Sequence, residues 1–199
     1  MVKDYERNAK YFFSENGFGL LGFNVLMGTL LSLVPRPSLL IFSLFMLVTA
    51  IEVTIAWIWW KKGMEIVRFN SLTAFLMFST FGVFLVFPLL RISNGMFFWV
   101  VLAFYLFIAF YSLYKRELVF QAFHKPKGSK LYISIIVILF IFLIVGALSF
   151  RYGQEMVILA MMNDHQGAFF ISVFLYFIGL FVTFISTSLL KKPSEIKRK

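Results

Sequence analysis

Charged side chains fall in short clusters along this chain, and between the clusters lie uncharged, mainly apolar runs at residues 16–35, 37–60, 69–90, 92–114, 131–150 and 168–190, with Glu52 the single charge inside the second. At a rise of about 1.5 Å per residue, roughly 20 helical residues cross the ~30 Å hydrocarbon layer of a bilayer. A helix also satisfies its own backbone groups there, where no water can. The runs are continuously apolar and lack the in-out alternation of barrel strands. The pattern therefore predicts an all-α polytopic membrane protein, a bundle of six transmembrane helices. The longest polar connection, Lys115 to Lys130, carries its own apolar stretch from Leu118 to Phe123, so residues 1–199 read as one domain.

Orientation follows from the bases. Lys3, Arg7 and Lys10 precede the first run; Lys61, Lys62 and Arg68 lie between the second and third; Lys115, Arg116, Lys125, Lys127 and Lys130 lie between the fourth and fifth; Lys191, Lys192, Lys197, Arg198 and Lys199 follow the sixth. Only Arg36, Arg91 and Arg151 occupy the alternate turns. Cytoplasmic loops carry the excess of Lys and Arg, which places both termini in the cytoplasm (N-in/C-in) and the protein in the cell (plasma) membrane as a multi-pass chain. Trp57, Trp59 and Trp60, and Phe97, Phe98 and Trp99, fall at run ends and read as interfacial anchors.

Composition agrees, since 61% hydrophobic and 14% charged residues leave too little polar surface for a soluble globule, which has about a quarter of its residues charged. The net charge of +10 suits a lipid bilayer whose anionic headgroups meet the Lys and Arg loops, and calls for no nucleic acid. The first segment contains Asp4, Glu6 and Glu15, and Pro35, Arg36 and Pro37 follow its apolar run, unlike a cleavable signal peptide. The chain has no Cys, which removes disulfides, thiolate metal sites, cysteine nucleophiles and lipidated cysteines.

Glu52 carries the most chemistry. It lies eight residues before Trp60, about 12 Å into the core, too deep for a short carboxylate to reach water. An ionisable group there costs about 2.5–3.5 kcal/mol on insertion scales, so it faces the bundle interior or a wet cavity, or carries a proton. Thr49 and Ala56 share its helical face. Asn24, eleven residues before Pro35, reaches a similar depth, and Thr183 with Ser186 and Thr187 brings hydroxyls to the sixth run. Glu52, Asn24, Thr49 and Thr183 are thus the candidate substrate- or ion-binding residues, and a buried Glu–Asn bond that fixes helix register is the structural alternative.

Other motifs are weaker. Gly17, Gly19 and Gly22 match Gly-x-Gly-x-x-Gly, but that fingerprint needs a strand and a soluble βαβ unit; Gly17, Leu21, Asn24 and Gly28 instead share a face suited to close helix packing. The last outer loop offers Glu155, Asp164 and His165 as acid/base candidates, without the ligands of a metal centre or a nucleophile at diagnostic spacing. Two His residues, neither within a run, exclude a transmembrane bis-His haem; no zinc-protease motif or P-loop is present. No catalytic residue, cofactor or metal is assigned.

These features predict a small integral membrane transport component, such as a solute-binding membrane subunit, permease subunit or channel, with a buried polar site around Glu52. The alternative is a noncatalytic interaction protein, an assembly, regulatory or immunity subunit of a membrane complex, with a membrane-protein partner or a second copy of itself. A membrane enzyme acting at the outer face is the least supported reading.

Overall fold

A computed structural model of the chain describes residues 12, 18–124, 126, 129–149 and 162–191. Among these the chain forms seven α-helices and no strand: α1 (Phe18–Ser32), α2 (Leu39–Lys61), α3 (Ile66–Ile92), α4 (Gly95–Tyr114), α5 (Arg116–His124), α6 (Lys130–Ser149) and α7 (Asp164–Ser186), the last prolonged by a 3₁₀ turn, Thr187–Leu190. Four stretches are long and apolar enough to cross a bilayer, namely α2, α3, α4 and Asp164–Leu190. The other two apolar helices are shorter as described, at Gly22–Ser32 and Lys130–Val145.

Element ends follow local chemistry. Ser38 caps α2 by accepting from Ile41 N–H at 3.4 Å, which answers one of the orphan donors of a first helical turn. Beyond the Lys61 end, Gly63 takes φ 75°, a left-handed conformation that glycine adopts without cost. Its N–H donates to Trp60 O at 3.2 Å. Asn163 and Gln166 form a reciprocal capping box at the start of α7, with bonds of 2.9 and 3.2 Å. Asp164 and His165, expected in a loop, are therefore the first residues of a helix. The Lys115–Lys130 connection likewise contains α5, nine residues with Val119 and Ala122 buried.

The tightest contact joins α3 and α7. Gly82 and Gly179 meet there: a Cβ on Gly179 would stand 2.8 Å from Gly82 O, and one on Gly82 would stand 2.2 Å from Thr183 Oγ1. Small residues let two helix backbones touch, which supplies packing where lipid removes the usual hydrophobic drive between helices. Above this crossing Val86, Leu89, Val101, Tyr105, Tyr176 and Leu180 join α3, α4 and α7 in one apolar cluster. Tyr176 donates its hydroxyl to Val101 O at 2.8 Å, so its polar tip is answered within the cluster.

A second cluster, Leu31, Ile41, Phe45, Phe84 and Leu85, joins α1, α2 and α3, with Leu175, Ile178 and Val182 of α7 packed against it. The Phe45 and Phe84 rings stack at 4.1 Å between centroids. Trp60 is only 2% exposed, packed with Phe12, Ala56 and Phe69, so it is a core residue rather than an interfacial anchor. Trp99, by contrast, is 67% exposed.

Two arginines tie the ends of the bundle. Arg91 at the end of α3 donates to Val34 O at 2.8 Å, Ser32 O at 3.4 Å and Arg36 O at 3.0 Å, answering the open carbonyls at the C-terminus of α1 and holding the turn into α2. At the other end Arg68 donates to Leu190 O at 2.7 Å and Lys191 O at 3.1 Å, and the Ser71 hydroxyl donates to Leu189 O. Lys191 then pairs with Glu117 of α5 at 2.6 Å and lies 4.5 Å above the Phe120 ring.

Candidate functional site

The buried face of α2 runs Ile41, Phe45, Thr49, Glu52, Ala56 and Trp60, steps of three and four residues that keep one stripe facing inward. Apolar residues fill both ends of the stripe, and Thr49 and Glu52 form its polar middle. Thr49 is 1% exposed and Glu52 3%. The Thr49 hydroxyl donates to Phe45 O one turn back, at 2.9 Å, a local bond that leaves the carboxyl group to find partners on other helices.

Asn24 of α1 is that partner. It is fully buried and donates from Nδ2 to Glu52 Oε2 at 2.5 Å. Close approach of α1 is permitted one turn further on by Gly28, where an added Cβ would lie 3.2 Å from Phe45 Cβ and 3.3 Å from the Phe84 ring. Asn24 and Gly28 thus form the packing face expected of α1; Gly17 and the Leu21 side chain lie outside what is described. Gly19 and Gly22 have nothing within 4 Å of a built Cβ among the described residues, so these two glycines of the Gly-x-Gly-x-x-Gly match mark no close approach of a described helix.

The hydrogen bonding of the pair is incomplete. Asn24 Oδ1 and Glu52 Oε1 are both buried and have no hydrogen-bond partner among the described residues. The Thr80 hydroxyl of α3 stands beside the carboxyl group without closing a bond to Oε1. Thr73, one face with Thr80 at a spacing of seven, is 8% exposed and its hydroxyl is also unmatched among the described residues. Native interiors match nearly all such atoms, so three unmatched oxygens set this side of α3 apart among the described residues.

Thr183 is not brought to this pair. It lies on α7, 3.5 Å from the Tyr105 hydroxyl and against Gly82. Gly82 and Thr80 are two residues apart, about 200° around a helix, so Thr183 packs on the face of α3 opposite the carboxyl group. Thr80 and Thr73 take the place expected for it. Two threonines seven residues apart in an apolar run are the only trace they leave in the sequence, and such residues most often bond back to their own helix.

The outer candidates separate as well. Asp164 lines a cleft of about 340 Å³ with Val34, Pro35 and Gly167, whereas His165 lines a different one of about 500 Å³ with Phe169, Phe170 and Val173. Adjacent residues on a helix point about 100° apart, which keeps this acid and this base from sharing one cavity. Glu155 lies outside the described residues. Among the described residues no three His, Asp or Glu side chains gather as metal ligands.

No protein-family model matches this chain, and no curated protein or solved structure matches it.

Proposed function

We propose that this protein is a small integral membrane transport component whose working site is the Glu52–Asn24 pair, flanked by Thr49 and Thr80, and that the species handled there is a proton or a small cation. One observation carries the proposal: a carboxyl group deep in an apolar bundle, joined to an amide by one bond, with an acceptor oxygen of each left over. Ionisable side chains inside spanning helices mark ion paths and proton relays, because their burial is otherwise too costly to keep.

The proposed topology is six crossings with both termini in the cytoplasm. Arg68, Lys191 and Glu117 meet at one end of the bundle, and Arg91 meets the Arg36 turn at the other, which supports the partition of bases between two sides of a cell membrane. The twenty residues of α6, at about 1.5 Å each, support a crossing there in the proposed topology. Anionic headgroups are then the partners of the basic end.

A noncatalytic interaction subunit is the second reading, and α6 favours it. Ile133, Ile136, Val137, Phe140, Ile141 and Leu143 are exposed on several sides of that helix, a surface that a partner subunit or a second copy can cover as well as lipid. In that reading the Glu52–Asn24 bond serves to set the register of α1 on α2.

Flux measurements in sealed vesicles decide between the two. Purified protein is reconstituted, a pH or monovalent-cation gradient is imposed, and the interior is followed with an ion-sensitive dye. Flux above that of protein-free vesicles, lost in a folded Glu52→Gln variant, is the expected result. Equal flux in both proteins removes Glu52 from the path, and none in either together with stoichiometric co-purification of a membrane partner contradicts the transport reading.

A further inference from the structure

We infer that the Glu52–Asn24 pair holds a single proton, carried on Glu52 Oε1 and shared with Asn24 Oδ1, so that the ligand of this site is a proton rather than a metal cation. The inference rests on the reading of this pair as the working site and names what occupies it.

Donor and acceptor accounting leads there. An ionised carboxylate only accepts, and an amide offers two N–H donors and one acceptor oxygen. With Asn24 Nδ2 donating to Oε2, the charged form leaves Oε1 and Oδ1 as two acceptors with no hydrogen between them. A turn of the Thr80 hydroxyl would match Oε1 and still leave Oδ1 bare. One proton on Oε1 matches both atoms at once: the acid donates to the amide oxygen while the amide donates to the acid, and two planar groups close a ring of two hydrogen bonds. Binding forms one O–H bond, cancels one negative charge, and is reversed by return of the proton to water.

Among the described residues no base is placed to keep the carboxylate charged. Along α2 the nearest is Lys61, nine residues away, about 13 Å along the axis, with Lys62 just past the helix end, and Lys61 is drawn over the Trp57 ring at 5.1 Å. On α3 the spanning run is bounded by Arg68 and Arg91, both engaged by carbonyl oxygens at the bundle ends. The described part of α1 carries no charge, and those of α7 and its 3₁₀ extension, Asp164, His165 and Lys191, stand at the two extremes. An unpaired buried carboxylate is the costliest state of this seam. A hard metal cation would need about six oxygens. The seam offers both Glu52 oxygens, Asn24 Oδ1 and the Thr49 and Thr80 hydroxyls, walled by Phe45, Gly28 and Phe84, which is too few; the Thr73 hydroxyl stands two turns further along α3, about 10 Å away.

Infrared spectroscopy of the full chain in lipid vesicles at neutral pH tests this directly. The expected spectrum contains the carbonyl stretch of a carboxylic acid, set apart from the carboxylate bands of water-exposed Glu65, Glu117 and Asp164. The band shifts when glutamate carboxyl carbons are isotopically labelled, is lost in Glu52→Gln, and moves to the higher frequency of an unpartnered acid in Asn24→Ala. The labelling arm leaves the protein unaltered, so it reads the acid even if a variant fails to fold. A wild-type spectrum with carboxylate bands alone, or an acid band that both variants leave unchanged, overturns the inference. The acid band without flux would remove the transport reading and leave the proton in place. Flux of a cation without the acid band would do the reverse.

Discussion

Asn24 and Glu52 show what one bond contributes inside a bundle. Asn24→Ala removes the donor and leaves the carboxyl group buried alone, a loss expected at about 1–2 kcal/mol, between the small mean for interhelical bonds in membranes and the cost of an unsatisfied buried group. Glu52→Gln keeps two amides able to bond head to tail, and its stability is expected within about 0.5 kcal/mol of wild type. Reversible unfolding in mixed detergent measures both, and a larger loss in Glu52→Gln than in Asn24→Ala would contradict the pairing. This pair was legible in the sequence because depth can be counted from Trp60 and Pro35. Thr183 shows the limit of the same reasoning: depth along an axis says nothing about angle around it, and α7 came to rest on the far face of α3. Trp60 was read as an interfacial anchor on depth alone, and its burial among Phe12, Ala56 and Phe69 required knowledge of which helices meet.

Between elements, the α3–α7 crossing and the Arg91 clamp set the geometry. Gly179→Ala places a methyl group 2.8 Å from Gly82 O and 2.9 Å from Val86 Cγ2, so the backbones must part, at an expected cost of about 1–3 kcal/mol. Gly22→Ala meets nothing within 4 Å and is expected to be neutral or to stabilise by about 0.5–1 kcal/mol through helix propensity. Unfolding of the two variants side by side reads the contrast, and equal effects would show that the crossing is looser than described. Arg91→Lys is expected to lose about 1–2 kcal/mol, because one ammonium group cannot reproduce a planar fork that reaches three carbonyls; wild-type stability in that variant would make the clamp incidental. Helix existence was readable from the runs, since length and continuous apolarity suffice. The nine residues of α5 were read as part of a loop because their apolar stretch is too short to span and gains its support from distant partners, Lys191 at the far end of the chain and the Tyr132 ring of α6, 6.1 Å from that of Phe123.

For the molecule as a whole, the proposed threading decides whether the Glu52 seam lies within the bilayer. The native chain has no Cys, so single cysteines can be placed at exposed positions at both ends of the bundle and read with a thiol reagent that cannot cross a membrane. In intact cells, Arg36→Cys, Asn94→Cys and His165→Cys are predicted to react, while Lys62→Cys, Gln121→Cys and Lys130→Cys, with a cysteine tag fused before residue 1, react only after the membrane is opened. Labelling of Lys130→Cys and His165→Cys from the same side, or reaction of the amino-terminal tag in intact cells, would contradict the six-crossing arrangement.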